Sequence, residues 1–173
     1  MTAQKGARAV YFLWVVALPA SAGYDANGLE LGATEQDIAR RFPSAYCKPL
    51  EWKSRAADRR CDDAKVSFGG VDARLTFYLK DGRVQGFDVR FDSKDAERLA
   101  SFLKSRYGAP SAETRNQIEG RRKAEMYKLR WEKGDERAVM TSQKERRRAS
   151  LSVSRGDFED EIYRVRDDDH KAR

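Results

Sequence analysis

The sequence predicts an α+β fold in which helices pack on one face of an antiparallel β-meander sheet. Three observations support this fold: two neighbouring segments with alternating apolar residues, an Asp-Gly dipeptide between them, and a helical apolar stripe directly after them. The region from Ala64 to Tyr107 contains all three features. It also holds half of the Leu, Ile, Val and Phe residues that follow position 22. We therefore expect this region to organise the core.

The first of these features is a β-hairpin. Apolar residues alternate with polar ones in both of its strands, as expected of half-buried strands; they are Ala73, Leu75, Phe77 and Leu79, then Phe87, Val89 and Phe91. Asp81-Gly82 between the strands favours the positive φ angles of a tight turn.

The register of this hairpin requires one extra residue. A two-residue Asp81-Gly82 loop alone would place Leu75 opposite Asp88 and so mismatch the two apolar faces. A three-residue loop, Lys80-Asp81-Gly82, would pair Leu75 with Phe87 and is the preferred solution. A bulge at Gly86 is the alternative.

A helix is predicted after the hairpin. Asp92 or Ser93 can cap its free amides, and Gly108 with Pro110 ends it. Apolar residues recur at helical spacing and form one stripe, made of Ala96, Leu99, Phe102, Leu103 and Tyr107. We expect this helix to lie on the Leu75/Phe77/Phe87 face of the sheet.

Residues 1–22 have the composition of an export signal. Lys5 and Arg8 precede the apolar stretch Ala9 to Ala20, and Ala20-Ser21-Ala22 offers small residues for cleavage before Gly23. The apolar stretch is too short to span a bilayer, so the processed chain would not span a membrane; a retained anchor is the alternative. The expected organisation is a signal peptide at 1–22, a first unit at 23–110, a second at 111–166 and a disordered tail at 167–173. We expect the protein to be periplasmic or secreted.

The two cysteines, Cys47 and Cys61, both lie in the exported part. In an oxidising compartment the default expectation is that they form a disulfide. Closing a loop of about 15 residues contributes roughly 3 kcal/mol in the chain-entropy model. Because the rest of the chain is poor in large apolar residues, such a crosslink would support a modest core.

The remaining elements are shorter. Thr34 and Asp37 form a capping-box pattern for a helix that ends at Pro43, while residues 111–122 are polar and are interpreted as a connection. Trp52 is expected to cover an edge of the core. Three further strands and a terminal helix are predicted around Tyr127–Trp131, Ala138–Thr141, Ala149–Val153 and Phe158–Val165. Since Pro-Ser-Ala follows a helix in both halves, at an offset of about 65 residues, the sequence allows a tandem repeat of one helix plus three strands.

Short motifs in residues 29–110 resemble those of the small-protein-A family of envelope proteins, which includes the small lipoprotein of the outer-membrane barrel-assembly machine. The motifs are Leu-Gly-Ala-Thr-Glu-Gln-Asp-Ile at 31–38, the Asp81-Gly82 turn and Tyr-Gly-x-Pro at 107–110. The tandem form also resembles the β-lactamase-inhibitor proteins. Both resemblances imply helices on one face of an antiparallel sheet and a function in binding other proteins. The lipid-attachment cysteine is missing, and the Cys47/Cys61 loop matches neither family.

The sequence offers little catalytic equipment. The single histidine, His170, lies in the predicted tail, which removes most acid–base, triad and metal-ligand schemes near neutral pH. Gly69-Gly70 is interpreted as a turn. Asp62-Asp63 and Asp167-Asp168-Asp169 lack the spacing of a calcium loop and are interpreted as solvated acidic residues. We expect no enzyme activity, no metal and no cofactor.

The clearest polar feature is basic. Residues 121–155 are rich in Lys and Arg, including Arg121-Arg122-Lys123 and Arg146-Arg147-Arg148. These residues are either solvated turns or a site that attracts an anionic surface. For an exported chain, an acidic protein, a cell-wall polymer or lipopolysaccharide is a better partner than nucleic acid.

Two functions are therefore expected from sequence. The first is a non-catalytic envelope adaptor that binds another protein through a sheet face or its basic turns. The alternative is an inhibitor or immunity-type protein that blocks a hydrolase such as a β-lactamase or lysozyme. Glu51 with Trp52 is the nearest candidate for the loop that such an inhibitor would insert.

Overall fold

The computed structural model describes residues 23–118 and 124–162, with ten strands and three helices in those ranges. The strands are β1 (Asp25–Ala26), β2 (Leu29–Glu30), β3 (Tyr46–Pro49), β4 (Arg59–Phe68), β5 (Val71–Lys80), β6 (Arg83–Phe91), β7 (Ala112–Ile118), β8 (Ala124–Lys133), β9 (Glu136–Gln143) and β10 (Arg148–Arg155). The helices are α1 (Glu35–Arg41), α2 (Ala96–Tyr107) and α3 (Phe158–Glu161). The predicted α+β class is confirmed.

Eight strands form one antiparallel sheet in the order β3-β4-β5-β6-β10-β9-β8-β7. A helix precedes each half of this sheet, α1 before β3–β6 and α2 before β7–β10. The two halves meet where their last strands pair antiparallel, with Val89 opposite Leu151. The unit that occurs twice is therefore a helix plus four strands, one strand more in each half than the sequence pattern indicated.

The additional strand of the second half is β7, which falls within the segment predicted to be a connection. Ala112 pairs with Arg130, and the register continues to Ile118 opposite Ala124. The prediction was wrong because residues 111–116 are all exposed, so the strand buries no face and shows no apolar alternation. Polar residues suit an edge strand, where they discourage pairing with other chains.

The additional strand of the first half is β3, inside the predicted disulfide loop. It is four residues long, and each of its residues pairs with one in β4. Only residues 50–58 remain as an irregular loop between the two strands.

The central hairpin has a two-residue turn and a bulge. Lys80 pairs with Arg83, so Asp81 and Gly82 form the turn with φ angles of 51° and 73°. The register then shifts between Tyr78 and Leu79. The preferred three-residue loop was therefore wrong. The bulge alternative holds, but the residue without a partner on β5 is Gln85, next to the predicted Gly86.

The bulge brings the alternating apolar residues of both strands to the same face, while Tyr78 lies on the other one. Leu79 lies opposite Val84, Phe77 opposite Phe87, and Leu75 opposite Val89 rather than Phe87. A three-residue loop would instead have turned Val84 away from the core, because a shift of one residue reverses a strand face. Burial of the alternating apolar side chains on one face therefore favours the bulge.

The core lies between this face of the sheet and α1, α2 and the β1–β2 ribbon. Leu75, Phe77 and Phe87 are at most 1% exposed, and they belong to one cluster with Leu99 and Leu103 of α2. This confirms the predicted packing of α2 on the sheet. Its start differs slightly, because Asp92 caps a 3₁₀ turn, Ser93–Asp95, that leads into the helix.

Helix α1 also begins as predicted. The Thr34 hydroxyl accepts from the Asp37 backbone amide at 3.2 Å, and the Asp37 carboxylate accepts from the Thr34 amide at 2.8 Å. Such a reciprocal cap satisfies two free amides at the helix start. Ile38 on the inner face of this short helix is fully buried.

The β1–β2 ribbon is anchored to the end of α2. Arg106 donates to both carboxylate oxygens of Asp25, which is 4% exposed, and the Tyr107 hydroxyl donates to the Asp25 carbonyl at 2.9 Å. Tyr24 packs its ring against that of Tyr107 with centroids 4.8 Å apart. The chain is thus part of the fold almost from Gly23 onwards.

A second, smaller apolar cluster covers one end of the other sheet face. It contains Ala57, Tyr78, Phe158 and Ile162, and Trp52 packs against it. Gly86 permits this packing, because a Cβ there would lie 2.8 Å from the Phe158 ring and 3.0 Å from the Val153 carbonyl oxygen. Of the predicted terminal helix, Phe158 and Ile162 are in place, while Val165 and the predicted tail lie outside the described residues.

Candidate interaction surface

The predicted disulfide is present. Cys47 of β3 lies directly opposite Cys61 of β4, their Cα atoms are 3.9 Å apart, and their sulfurs are bonded. Cys61 is fully buried in the main core. The crosslink therefore joins the short edge strand β3 to the body of the sheet.

The sheet face opposite α1 and α2 is open over most of its length. Strand alternation sends every second residue to this face. One continuous row crosses all eight strands through direct partners, namely Tyr46, Asp62, Thr76, Asp88, Ser152, Val139, Arg130 and Ala112. Tyr46 at the end of this row is 70% exposed and is the one exposed large hydrophobic side chain in the described part of the chain.

This open face is large enough for a protein partner. Eight strands about 4.8 Å apart span roughly 34 Å, and about six residues along each strand add roughly 20 Å. The resulting area of roughly 700 Å² approaches the ~800 Å² that each partner contributes to a standard interface.

A groove of about 660 Å³ crosses four neighbouring strands of the open face, β5, β6, β10 and β9, close to one end of these strands. Arg74, Arg90 and Arg148 line it, from β5, β6 and β10. Arg74 and Arg90 are direct cross-strand partners, and all three arginines are exposed. Thr141, Gln143 and Ser150 supply further hydrogen-bonding groups to the groove.

Asp88 is the carboxyl group nearest in sequence to this groove on β6. Burial raises the pKa of Asp88, while the hydrogen bond from Ser152, the charge of Arg90 and the hydrogen bond from Tyr78 oppose that shift. The Tyr78 hydroxyl donates to Asp88 at 3.2 Å. Asp88 is thus held by two neutral donors and is also attracted by the charge of Arg90, with which it forms no ion pair within 4 Å.

The predicted basic residues fall in three different places. Arg121, Arg122 and Lys123 lie outside the described residues. Arg146 ends a 3₁₀ turn, and Arg147 follows in the left-handed conformation with an ion pair to Asp92 at 3.1 Å. Only Arg148 belongs to the groove of the open face.

The second predicted site, Glu51 with Trp52, lies in the loop between β3 and β4. Glu51 is 58% exposed and pairs with Lys48 and Arg60, which lower its pKa. The Trp52 indole nitrogen donates to the Ile162 carbonyl at 2.8 Å, and its ring is partly buried against the second apolar cluster. Trp52 therefore binds the segment just after α3 and has only part of its ring available to a partner.

The acidic pair Asp62-Asp63 differs from the expectation of two solvated residues. Asp62 pairs with Arg60 at 2.9 Å, while Asp63 is 3% exposed and accepts from the Ser44 hydroxyl at 2.7 Å and the Lys65 amide at 3.1 Å. The prediction failed because the two residues alternate along β4 and so occupy different faces of the sheet.

Few groups with catalytic or metal-binding potential come together in the described residues. In those ranges one trio of metal-ligand side chains meets, Glu35 with Cys47 and Cys61. Its two sulfurs are bonded to each other, and Glu35 forms a bidentate pair with Arg59, so these groups are already engaged. Gly69-Gly70 forms the predicted turn, here between β4 and β5.

Arg74 and Arg90 were not identified as site residues from sequence. Each occupies the polar position of an alternating strand, where charged residues are common. They form a concentrated positive charge only because they are direct cross-strand partners. This pairing depends on the bulge and cannot be predicted from either strand alone.

Comparison with family models, curated proteins and solved structures finds no match to this chain. In the ranges 23–118 and 124–162, no helix combines the length and the apolar character that crossing a membrane requires.

Proposed function

We propose that this protein is a non-catalytic, exported module of the cell envelope that binds another protein through the open face of its sheet. The observation that carries this proposal is the uncovered face itself. It presents ordered rows of polar side chains from eight strands, an exposed tyrosine at its edge and an arginine-lined groove across four of its strands. A rigid sheet offers such groups without a large cost in ordering them.

Export is supported by two independent features. The Cys47–Cys61 disulfide is of a kind that persists in oxidising compartments. The signal-like segment ends at Ala22, and the fold begins immediately afterwards, since the Tyr24 amide donates to Glu136 at 3.0 Å. Cleavage before Gly23 would therefore leave every core residue that the structure describes in the processed chain.

A role in binding rather than catalysis agrees with the resemblance to small-protein-A proteins and to β-lactamase-inhibitor proteins. The resemblance to β-lactamase-inhibitor proteins raises one specific alternative, namely that the protein inhibits a hydrolase. It is favoured by the tandem architecture, in which two helix-plus-meander units build one eight-stranded face.

Affinity capture from an envelope extract tests the proposal. The bait is the chain beginning at Gly23, used as wild type and as Thr141→Trp, which places a bulky ring on the open face within the arginine-lined groove. Ser105→Trp is the matched control, because Ser105 is exposed on α2 on the opposite side of the sheet. We expect a protein partner to be captured by the wild type and by Ser105→Trp and to be lost with Thr141→Trp.

Two outcomes would contradict the proposal: capture that survives Thr141→Trp, and no captured protein with any bait. The nature of the partner then separates adaptor from inhibitor. A hydrolase that loses activity in the complex identifies an inhibitor, and a structural envelope protein identifies an adaptor.

A further inference from the structure

We infer that Arg74, Arg90 and Arg148 form a subsite that receives clustered carboxylates from the protein partner. This inference rests on the proposed function, since it specifies which chemistry of the partner the open face recognises. It starts from the placement of the three arginines and from the observation that, among the described residues, none of them forms an ion pair within 4 Å.

The register places like charges directly against one another. Arg74 and Arg90 are opposite residues on β5 and β6, and Arg148 lies on the next strand, β10, two residues before the partner of Arg90. Like charges at directly opposed positions destabilise a sheet. The sequence thus retains an unfavourable pair of like charges between two central strands of the sheet.

Several arginines elsewhere in the described chain bind a carboxylate through two donors. Arg59 binds Glu35, Arg106 binds Asp25 and Arg115 binds Glu97, each through two nitrogen donors. Arg74 and Arg148, by contrast, have no carboxylate oxygen within 4 Å among the described residues, and Arg90 has only the longer-range attraction of Asp88. Arg55 and Arg146 also lack a carboxylate partner in the part of the chain that the structure describes, but each lies outside the groove. The groove is distinguished because it brings three arginines without an ion pair to a described residue together, where they can bind one incoming anionic group.

The chemistry of the groove suits carboxylates. A planar guanidinium binds a carboxylate through two parallel hydrogen bonds, and three of them around one groove can hold more than one such group. The hydroxyls of Thr141 and Ser150 and the amide of Gln143 can donate to the remaining oxygens.

The pattern of charge around the groove favours a protein over a membrane or a polyanionic polymer. Asp72 and Asp88 occupy the same sheet face two residues from Arg74 and Arg90, and Glu132 lies further along that face on β8. These carboxylates would repel an extended anionic surface. They leave room for a discrete acidic loop, whose charges can match the positive positions and avoid the negative ones.

The test uses the processed chain beginning at Gly23, labelled with ¹⁵N, and follows the arginine Nε–H resonances by NMR. The probe is the capped peptide Gly-Glu-Glu-Glu-Gly, with Gly-Gln-Gln-Gln-Gly as its uncharged match. Inorganic phosphate and phosphatidylglycerol-containing vesicles are titrated separately. We expect saturable shifts of Arg74, Arg90 and Arg148 with the glutamate peptide that weaken as salt rises, and at most small shifts with the glutamine peptide.

Variants distinguish binding by the groove arginines from binding by the overall positive charge of the protein. We expect Arg74→Gln combined with Arg148→Gln to weaken peptide binding at least tenfold. Arg55→Gln and Arg146→Gln each remove one exposed positive charge outside the groove, and we expect them to change binding by less than twofold. Relief of the like-charge contact predicts that Arg74→Gln leaves the midpoint of thermal unfolding unchanged or raises it, so loss of binding would not reflect unfolding.

The inference is wrong if the glutamate peptide causes no saturable shift, or if phosphate or vesicles bind through these arginines more tightly than the peptide does. It is also wrong if Arg146→Gln has the larger effect. In these cases loss of partner capture by Thr141→Trp would still support a protein-binding face, so failure of the subsite and failure of the proposed function can be distinguished.

Discussion

Removing the Cys47–Cys61 bond provides a quantitative test of how this small fold is stabilised. The perturbation is the double change Cys47→Ala and Cys61→Ala. Alanine is preferred to serine at these sites because Cys61 is fully buried, and a serine hydroxyl there would lack water and add its own cost. Reduction of the wild-type bond by dithiothreitol gives the same loss of crosslink without a substitution.

The expected magnitude follows from the loop that the bond closes. The two cysteines are 14 positions apart, so the enclosed loop is about 15 residues long and the lost crosslink costs roughly 3 kcal/mol of unfolding free energy. Loss of the bond should also loosen β3 locally, because this strand contributes only four residues to the sheet and pairs on one side. With a denaturant slope of about 2 kcal/mol per molar urea, the midpoint should fall by roughly 1.5 M.

Urea unfolding followed by tryptophan fluorescence is a suitable assay, because Trp131 lies in the main core and Trp52 packs on the loop side of the sheet. We expect the double variant and the reduced wild type to agree, since both lack only the crosslink. A loss below about 1 kcal/mol in both would refute the argument that the bond supports the fold. A fully unfolded variant would show that the core alone is insufficient.

Three further predictions concern single positions, each measured as a change in the midpoint of unfolding. Gly86→Ala should cost about 1–3 kcal/mol, because its new methyl group would meet the Phe158 ring, and the cost should shrink in a Phe158→Ala background if that ring is the cause. Asp25→Asn should cost about 2 kcal/mol by weakening the hydrogen bonds from Arg106 that hold the β1–β2 ribbon, and an unchanged midpoint would show that the ribbon is not stabilised by this pair. Asp88→Asn should stabilise the fold at pH 7, because burial raises the pKa of Asp88 in the folded state. Ionisation of Asp88 therefore lowers the stability of the wild type as the pH rises from the unfolded pKa of about 3.9 through the folded pKa. Below that range the carboxyl group is neutral in both states, so the benefit of the variant should disappear. A constant effect of Asp88→Asn at all pH values would contradict this explanation.

Much of the fold was predictable because the half-buried elements follow simple periodicities. The strand of Leu75 and Phe77 alternates cleanly, and α2 carries its apolar residues at helical spacing. The capping box of Thr34 and Asp37 was also predictable, since it depends only on local sequence.

The edge strands β3 and β7 were missed for the opposite reason. β7 is exposed throughout the part whose burial is described, and β3 buries none of its residues fully, so neither shows an alternating pattern. The backbone hydrogen bonds that define these strands are made with neighbours, and such bonds leave no trace in side-chain composition.

The hairpin register and the arginine groove could not be predicted from the sequence for the same reason. Both depend on which residues lie opposite each other, and the sequence allowed two ways of adding the extra residue. Only the bulge places Arg74 opposite Arg90 and at the same time buries Val84. Runs of charge such as Arg146 and Arg147 are visible in the sequence. Single arginines in two different strands become a cluster only once the register of those strands is known.

The claim that the open face binds a protein is tested most directly by photocrosslinking in living cells that export the chain. A benzoylphenylalanine is placed at Thr141 on the open face and, as the control, at Ser105 on the outer side of α2. We expect one discrete protein adduct from position 141, lost when Arg74 and Arg148 are changed to glutamine, and none from position 105. Adducts from position 105 alone, or none from position 141, would contradict the account.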